Sequence, residues 1–254
     1  MSILETSAQI LQLMISLQRG IRVNDVISHL QMPKSTASRV VNQLVQYGYL
    51  EKDEAQGNFM PGALLLGAAH IARQQVPLNE RVDAALRSLC ERTGCTGYIS
   101  RLDNREILVL RVIHGRHPLP VVTWPGSRSP AWGTSTGRAL LARFSDDELD
   151  EFFASPHVAT QLNGAHQSAD GVRRLIQQAR QEGYATAINE SVADTASVSC
   201  AVGDPATHEA VAFCLSLPQS LAHPEEIARL AGLLRDAARL IACKTGDTRV
   251  TETP

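Results

Sequence analysis

Aromatic residues make up only 4% of this 254-residue chain, so any core must be built mostly from aliphatic side chains. No run approaches the ~20 consecutive apolar residues that a membrane helix needs. Five cysteines, at positions 90, 95, 200, 214 and 243, form an odd set without Cys-x-x-Cys spacing. That argues against a disulfide framework or a zinc ribbon and for reduced thiols in a cytoplasmic protein. The opening MSILETSAQI lacks a basic segment followed by an apolar stretch, so secretion is not expected. Charge of one sign is lacking too. The net charge is −2, and residues 1–75 hold six Lys/Arg against five Asp/Glu. Any nucleic-acid binding must therefore come from local placement and subunit pairing rather than from a broad basic field. No Gly-x-Ser-x-Gly, Walker loop or dinucleotide fingerprint occurs.

What is present begins with three amphipathic segments. Ala8, Ile10, Leu11, Met14 and Ile15 predict a helix from about Thr6 to Leu17, ended by Gly20. Val23, Val26, Ile27 and Leu30 recur at i, i+3, i+4, i+7 and predict a second. Gln31-Met32-Pro33 is a turn, and Pro33 suits the first position of a third helix, which Gly48 ends. Two short extended pieces around Asp53–Gly57 then read as a β-hairpin. Three helices with a tight second turn, followed by a hairpin, predict a winged helix-turn-helix whose third helix enters the major groove.

The polar side of that third helix supports the assignment. Ser35, Ser38, Arg39 and Asn42 fall at i, i+3, i+4 and i+7, opposite the apolar stripe, and residues 34–50 contain no acid. Short or planar hydrogen-bonders suit base edges and phosphates, whereas carboxylates would repel the backbone. The competing reading is an ordinary solvated helix. The groove reading assigns Lys34, Ser35, Thr36, Ser38, Arg39 and Asn42 to DNA contact.

Pro33-Lys34-Ser35-Thr36 leading to Gly48-Tyr49-Leu50, with PGALLLGAAHIAR beyond the hairpin, resembles the IclR family of bacterial transcription regulators. The C-terminal stretch GSRSPAWGTSTGRALLARF resembles that family's effector domain. Gly126, Arg128, Pro130, Thr134, Gly137 and Ala139 match, while Arg138 replaces a lysine and Trp132 a frequent histidine. The resemblance covers nearly the whole chain and is patchy over residues 145–220. It implies an α+β protein: a winged helix-turn-helix domain over residues 1–61, a linker helix over 62–76, and a GAF-like α/β effector-binding domain over 77–246. Residues 247–254 are expected to be a disordered tail.

The resemblance further implies a pocket for a small carboxylate, with Ser135 and Thr136 donating backbone N–H groups at a helix start and Cys200 and Ser216 on the opposite wall. Free N–H groups and the positive helix end favour anions there. Asp194, before the Cys200 strand, is placed to accept from a ligand hydroxyl or amide. Trp132 and Trp124 flank the loop and point to a flat or aromatic acid, with core packing as the competing reading. The linker helix, apolar almost all round, suggests burial against a second subunit in a homodimer or homotetramer.

Other chemistries fit less well. His114-x-x-His117 lies on a loop with no further ligand at metal spacing, so neither a metal nor a cofactor is expected. Cys200 with His208 leaves a cysteine enzyme as an alternative, beside a DNA-binding protein without effector. The sign of regulation, repression or activation, depends on operator position and stays open.

Overall fold

The computed structural model describes residues 3–17, 19–53, 55–74, 77–119, 123–164 and 168–251. It divides into two compact units, Met1–Val76 and Pro77–Pro254.

In the first unit α1 (Ile3–Leu17), α2 (Val23–Leu30) and α3 (Lys34–Gln46) enclose Ile10, Leu13, Val26, Val40, Val41 and Leu44. These are the apolar positions of the three periodic stripes, each helix turning its stripe inward. Gln31 closes α2 in the left-handed region at φ 52°, and Pro33 is the N-cap of α3 rather than its first residue, which is Lys34. Gly48, at φ 76°, ends α3 with its N–H on the Val45 carbonyl, while the Tyr49 N–H reaches Leu44. Only glycine takes that conformation without strain. Strands β1 (Leu50–Asp53) and β2 (Asn58–Pro61) form the hairpin, with Ile21 adding a bridge to Phe59. Helix α4 (Ala63–Gln74) follows and leaves Leu64 and Leu66 exposed, 49% and 63% respectively. The side chain of Ile71, expected on its apolar surface, lies outside the described residues.

In the second unit α5 (Pro77–Thr93) begins at its proline, with Asn79 inside the first turn. Proline supplies no N–H and needs no capping acceptor there. A six-stranded antiparallel sheet has the order β5-β4-β3-β8-β7-β6. Its strands are β3 (Thr96–Asp103), β4 (Glu106–Ile113), β5 (Arg128–Pro130), β6 (Ala185–Ile188), β7 (Thr195–Asp204) and β8 (Glu209–Pro218). Between β5 and β6 run α6 (Ser135–Leu141), α7 (Asp146–Ala154), α8 (Pro156–Gly164) and α9 (Ala169–Glu182); α10 (Pro224–Thr245) and α11 (Thr248–Thr251) close the chain. Of the LPVVTW stretch, residues 119–124, positions 120–122 lie outside the described residues. Ser145 and Glu148 form a capping box on α7, each side chain meeting the other's backbone N–H at 3.2 and 2.6 Å.

The sheet has two unlike faces, because side chains alternate along every strand. One packs on α5 and α10 and carries Ile99, Val198, Phe213 and Leu215. Gly97 lies on it, where a Cβ would come within 2.6 Å of Cys90 Sγ on α5. The other face is covered by α6 and carries Tyr98, Ser100, Ile107, Ser197 and Ser216. The expected disordered tail is corrected at its start. Asp247 is 2% exposed, accepts both Arg143 Nη atoms at 2.9 Å and the Gly203 N–H at 2.6 Å, and leads into α11. A buried carboxylate holding a half-buried guanidinium and a strand-end amide is a structural anchor.

Candidate functional site

On α3, Lys34, Ser35, Arg39 and Asn42 are exposed, and Thr36 and Ser38 half-buried, opposite the buried Ala37, Val40, Val41 and Leu44. Asn42 Nδ2 reaches Ser38 Oγ at 3.4 Å, a weak contact that leaves the amide available to a partner. Glu51 lies off this face, accepting the Ala63 N–H at 3.0 Å, and Asp25 is engaged bidentately by Arg19 at 2.9 Å. That pair holds the Asp25 carboxyl down to about 2, the Arg19 hydrogen bond being the main cause. The stripe is thus a polar, acid-free helix face flanked by a hairpin, about the width that a major groove admits.

The second unit holds a cavity of about 90 Å³ between the start of α6 and the sheet face that α6 covers. That is room for about three water volumes, so it suits a ligand of several heavy atoms. Hydroxyls dominate its walls: Tyr98 and Ser100 from β3, Thr134, Ser135 and Thr136 from the α6 start, and Ser197 and Ser216 from β7 and β8. No charged side chain lines it among the described residues. Thr134 Oγ1 takes the Gly137 N–H at 3.0 Å, leaving the Ser135 and Thr136 N–H groups without intrahelical acceptors. Ser135 Oγ lies 2.7 Å from both Ser197 Oγ and Ser199 Oγ. Ser100 Oγ is buried and has no partner. Burial pushes the Tyr98 hydroxyl up to about 12 and the Cys214 thiol to about 11, so both stay neutral donors at ordinary pH.

Of the residues expected in the pocket, Ser135, Thr136 and Ser216 line this cavity, whereas Cys200, Asp194 and Trp132 do not. Cys200 pairs with Phe213 across the sheet, and Ser216 pairs with Ser197. Cross-strand partners share a face, so Cys200 and Ser216 lie on opposite faces and cannot form one wall. The Cys200 thiol donates instead to the Gly183 carbonyl at 3.3 Å, and burial pushes it up to about 12. The cysteine at the cavity is Cys214. Asp194 is exposed at φ 56°, its backbone tied to Asn189 and Gln219, with neighbouring Ser191 and Thr195 at the cavity instead. Trp132 is 5% exposed and belongs to the apolar cluster that also holds Leu149 and Phe152. Trp124 does not line the cavity either, so the aromatic reading of the ligand has no indole wall behind it. Ser197 was the residue most open to detection from sequence, because Ser197 and Ser199 form a period-two polar stripe in an otherwise apolar strand.

The α6 start is held in place from its other side. Arg138, 1% exposed, donates Nε to the Trp132 carbonyl and Nη1 to the Thr186 carbonyl, both at 3.0 Å. It also forms a fork with both carboxylate oxygens of Glu190. Among the described residues no group of three or more His, Cys, Asp or Glu converges. Among the described residues, no helix is long and apolar enough to cross a membrane.

The sequence profile for the "IclR helix-turn-helix domain" matches residues 4–54, and that for "Bacterial transcriptional regulator IclR C-terminal" matches residues 70–243. The HTH-type transcriptional regulator XynR of Escherichia coli (strain K12) is 23% identical over 242 residues, covering 95% of this chain and 96% of that protein. The crystal structure of an IclR transcriptional regulator from Alicyclobacillus acidocaldarius has the same fold, with a TM-score of 0.77 at 17% identity over 96% of this chain and 98% of that one. An IclR homologue from Microbacterium hydrocarbonoxydans, complexed with 4-hydroxybenzoate, superposes with a TM-score of 0.72 at 19% identity over 99% and 100% of the chains. With profiles of both its domains matched along most of its length, the chain belongs to the IclR family of bacterial transcriptional regulators, with an N-terminal helix-turn-helix DNA-binding domain and a C-terminal ligand-binding domain.

Proposed function

We propose that α3 reads operator DNA through Lys34, Ser35, Thr36, Ser38, Arg39 and Asn42, and that the hydroxyl-lined cavity takes a small organic acid that changes operator affinity. The observation carrying the first half is the acid-free polar face of α3. The second rests on the Ser135 and Thr136 N–H groups, which have no intrahelical acceptor where they border a cavity. Ligand binding would shift operator affinity by a coupling free energy of ~1–3 kcal/mol, acting through α6 and the sheet strands it covers. An uncharged polyol or carbonyl compound is a second reading, favoured by the lack of any lysine, arginine or histidine on the described walls.

A thermal-shift panel separates the two readings. Small carboxylates paired with their amides or alcohols should raise the midpoint only as acids on the first reading, and equally in both forms on the second. Replacement of Ser216 by a bulkier valine, which fills the cavity opposite the N–H groups, should abolish the response, and a panel without any shift would leave the cavity without a ligand role.

A homodimer or homotetramer, cytoplasmic by virtue of its DNA partner, completes the reading. Leu64 and Leu66 expose apolar surface on α4 that a second subunit would bury. Sedimentation should show Leu64→Glu/Leu66→Glu shifting the assembly to smaller species; an unchanged species would move the interface elsewhere. The reading assigns no catalytic role to Cys200, whose thiol is buried and points away from the cavity. Of the five cysteines only Cys243 is exposed, so a thiol reagent should label one site in the native protein. Rapid labelling of Cys200 would revive the cysteine-enzyme alternative.

A further inference from the structure

Hydrogen bonding is uneven across the hydroxyl-lined cavity. At its β7 end Ser197 Oγ and Ser199 Oγ each lie 2.7 Å from Ser135 Oγ, so these hydroxyls satisfy one another. At its β3 end Ser100 is 1% exposed and its Oγ has no hydrogen-bond partner. Among the described residues it is the one buried hydroxyl in that condition, and it lines this cavity.

Strand register explains why Ser100 finds no partner within the chain. It pairs with Ala212 on β8 and with Val109 on β4, and neither offers a side-chain oxygen. Its neighbours two residues away on the same face are Tyr98 and Leu102. Ala212 and Val109 belong to the apolar cluster that also holds Ala139 and Leu140 of α6. The backbone groups of β3 point sideways to β4 and β8, at right angles to the serine side chain. A hydroxyl buried in such a place is destabilising until a ligand supplies the missing bond.

We infer, resting on the effector role proposed for this cavity, that Ser100 is its specificity-determining residue and that the ligand places an uncharged oxygen, a hydroxyl or a carbonyl, on Ser100 Oγ. A second carboxylate does not fit there. No described lining residue is cationic, and Val109 and Ala212 flank the serine, so an anion would lose its hydration for a single hydrogen bond. A methyl end fits no better, because it leaves the hydroxyl buried and unpaired. Strand β8 lies between β3 and β7, so two strand spacings, roughly 10 Å of sheet, separate Ser100 from the serines of β7. The class selected is a short hydroxy or oxo acid, polar at both ends, or a diol if the other end is uncharged as well.

Calorimetric titration of the full chain with ω-hydroxypentanoate, pentanoate and glutarate reads this selection, and α,ω-pentanediol against pentanol repeats it for an uncharged ligand. The hydroxylated member of a pair should bind about tenfold more tightly than its deoxy counterpart, and glutarate no better than pentanoate. Ser100→Ala should bring hydroxylated and deoxy compounds to within about twofold of each other. Because alanine removes the unpaired hydroxyl, that variant without ligand should melt at or above the wild-type temperature, the reverse of what a hydroxyl with a structural partner would give. Equal binding of both members by wild type, a preference kept by Ser100→Ala, or a ligand-free melting point more than about 2 °C below wild type overturns the role of Ser100 and leaves the effector reading intact. Failure of every one of these compounds to bind at millimolar concentration overturns the ligand class. Only if the wider panel of acids, amides and alcohols is silent too does the effector reading fail with it.

Discussion

Replacement of Arg138 by alanine is expected to lower the thermal midpoint of the C-terminal unit by on the order of 10 °C, a loss of about 3 kcal/mol. The guanidinium is 1% exposed and ties together three pieces of chain, the turn at Trp132, strand β6 through Thr186, and Glu190 beyond it. Alanine would leave the Trp132 and Thr186 carbonyls without that donor and open a void the size of the lost side chain. Glu190 is 30% exposed and regains water, which places the cost at the lower end of that for breaking a buried ion pair. Lysine keeps the charge but cannot serve three acceptors in a plane, so Arg138→Lys should recover part of the stability. Because α6 carries Ser135 and Thr136 at its start, both variants should also weaken any response to effector. Calorimetric melting of the variants decides the matter; a midpoint within a degree or two of wild type for Arg138→Ala would mean that the network contributes little.

The second large effect is expected on DNA. Arg39→Ala and Asn42→Ala should each cost about 1–3 kcal/mol of operator binding if these side chains read bases, and the double variant more than either alone. Lys34→Ala should behave differently. A phosphate contact carries no sequence information, so its loss should weaken operator and scrambled duplexes alike and reduce the salt slope by about one. Fluorescence anisotropy with the DNA upstream of the chain's own gene, measured across a salt series, separates the two kinds of loss. Retention of the operator-over-scrambled preference by the Arg39→Ala/Asn42→Ala protein would sink the groove assignment. Folding is not at issue for these variants, because both side chains are exposed and touch nothing in the core.

The sequence by itself determined the helix-turn-helix unit. Its stripes of Ile10, Val26, Val40 and Leu44, the proline before α3 and the glycine after it are local signals, and a helix turns its side chains by a period that needs no distant partner. The acid-free face of α3 and the Ser145–Glu148 cap of α7 were legible for the same reason.

Only the tertiary structure decided which residues surround the cavity. Cys200 and Cys214 lie on neighbouring strands of similar composition, and register alone sends the first to the α10 side and the second to the cavity. A shift of one residue would exchange every such assignment, and nothing within β7 states where β8 will pair. Arg138 meets Glu190 across 52 positions, a pairing that no local signal states. Trp132 shows the same limit in the other direction: an aromatic beside a pocket loop reads as a ligand platform, yet it is buried in the apolar cluster that also holds Leu149 and Phe152 because burial of apolar area there outweighs exposure.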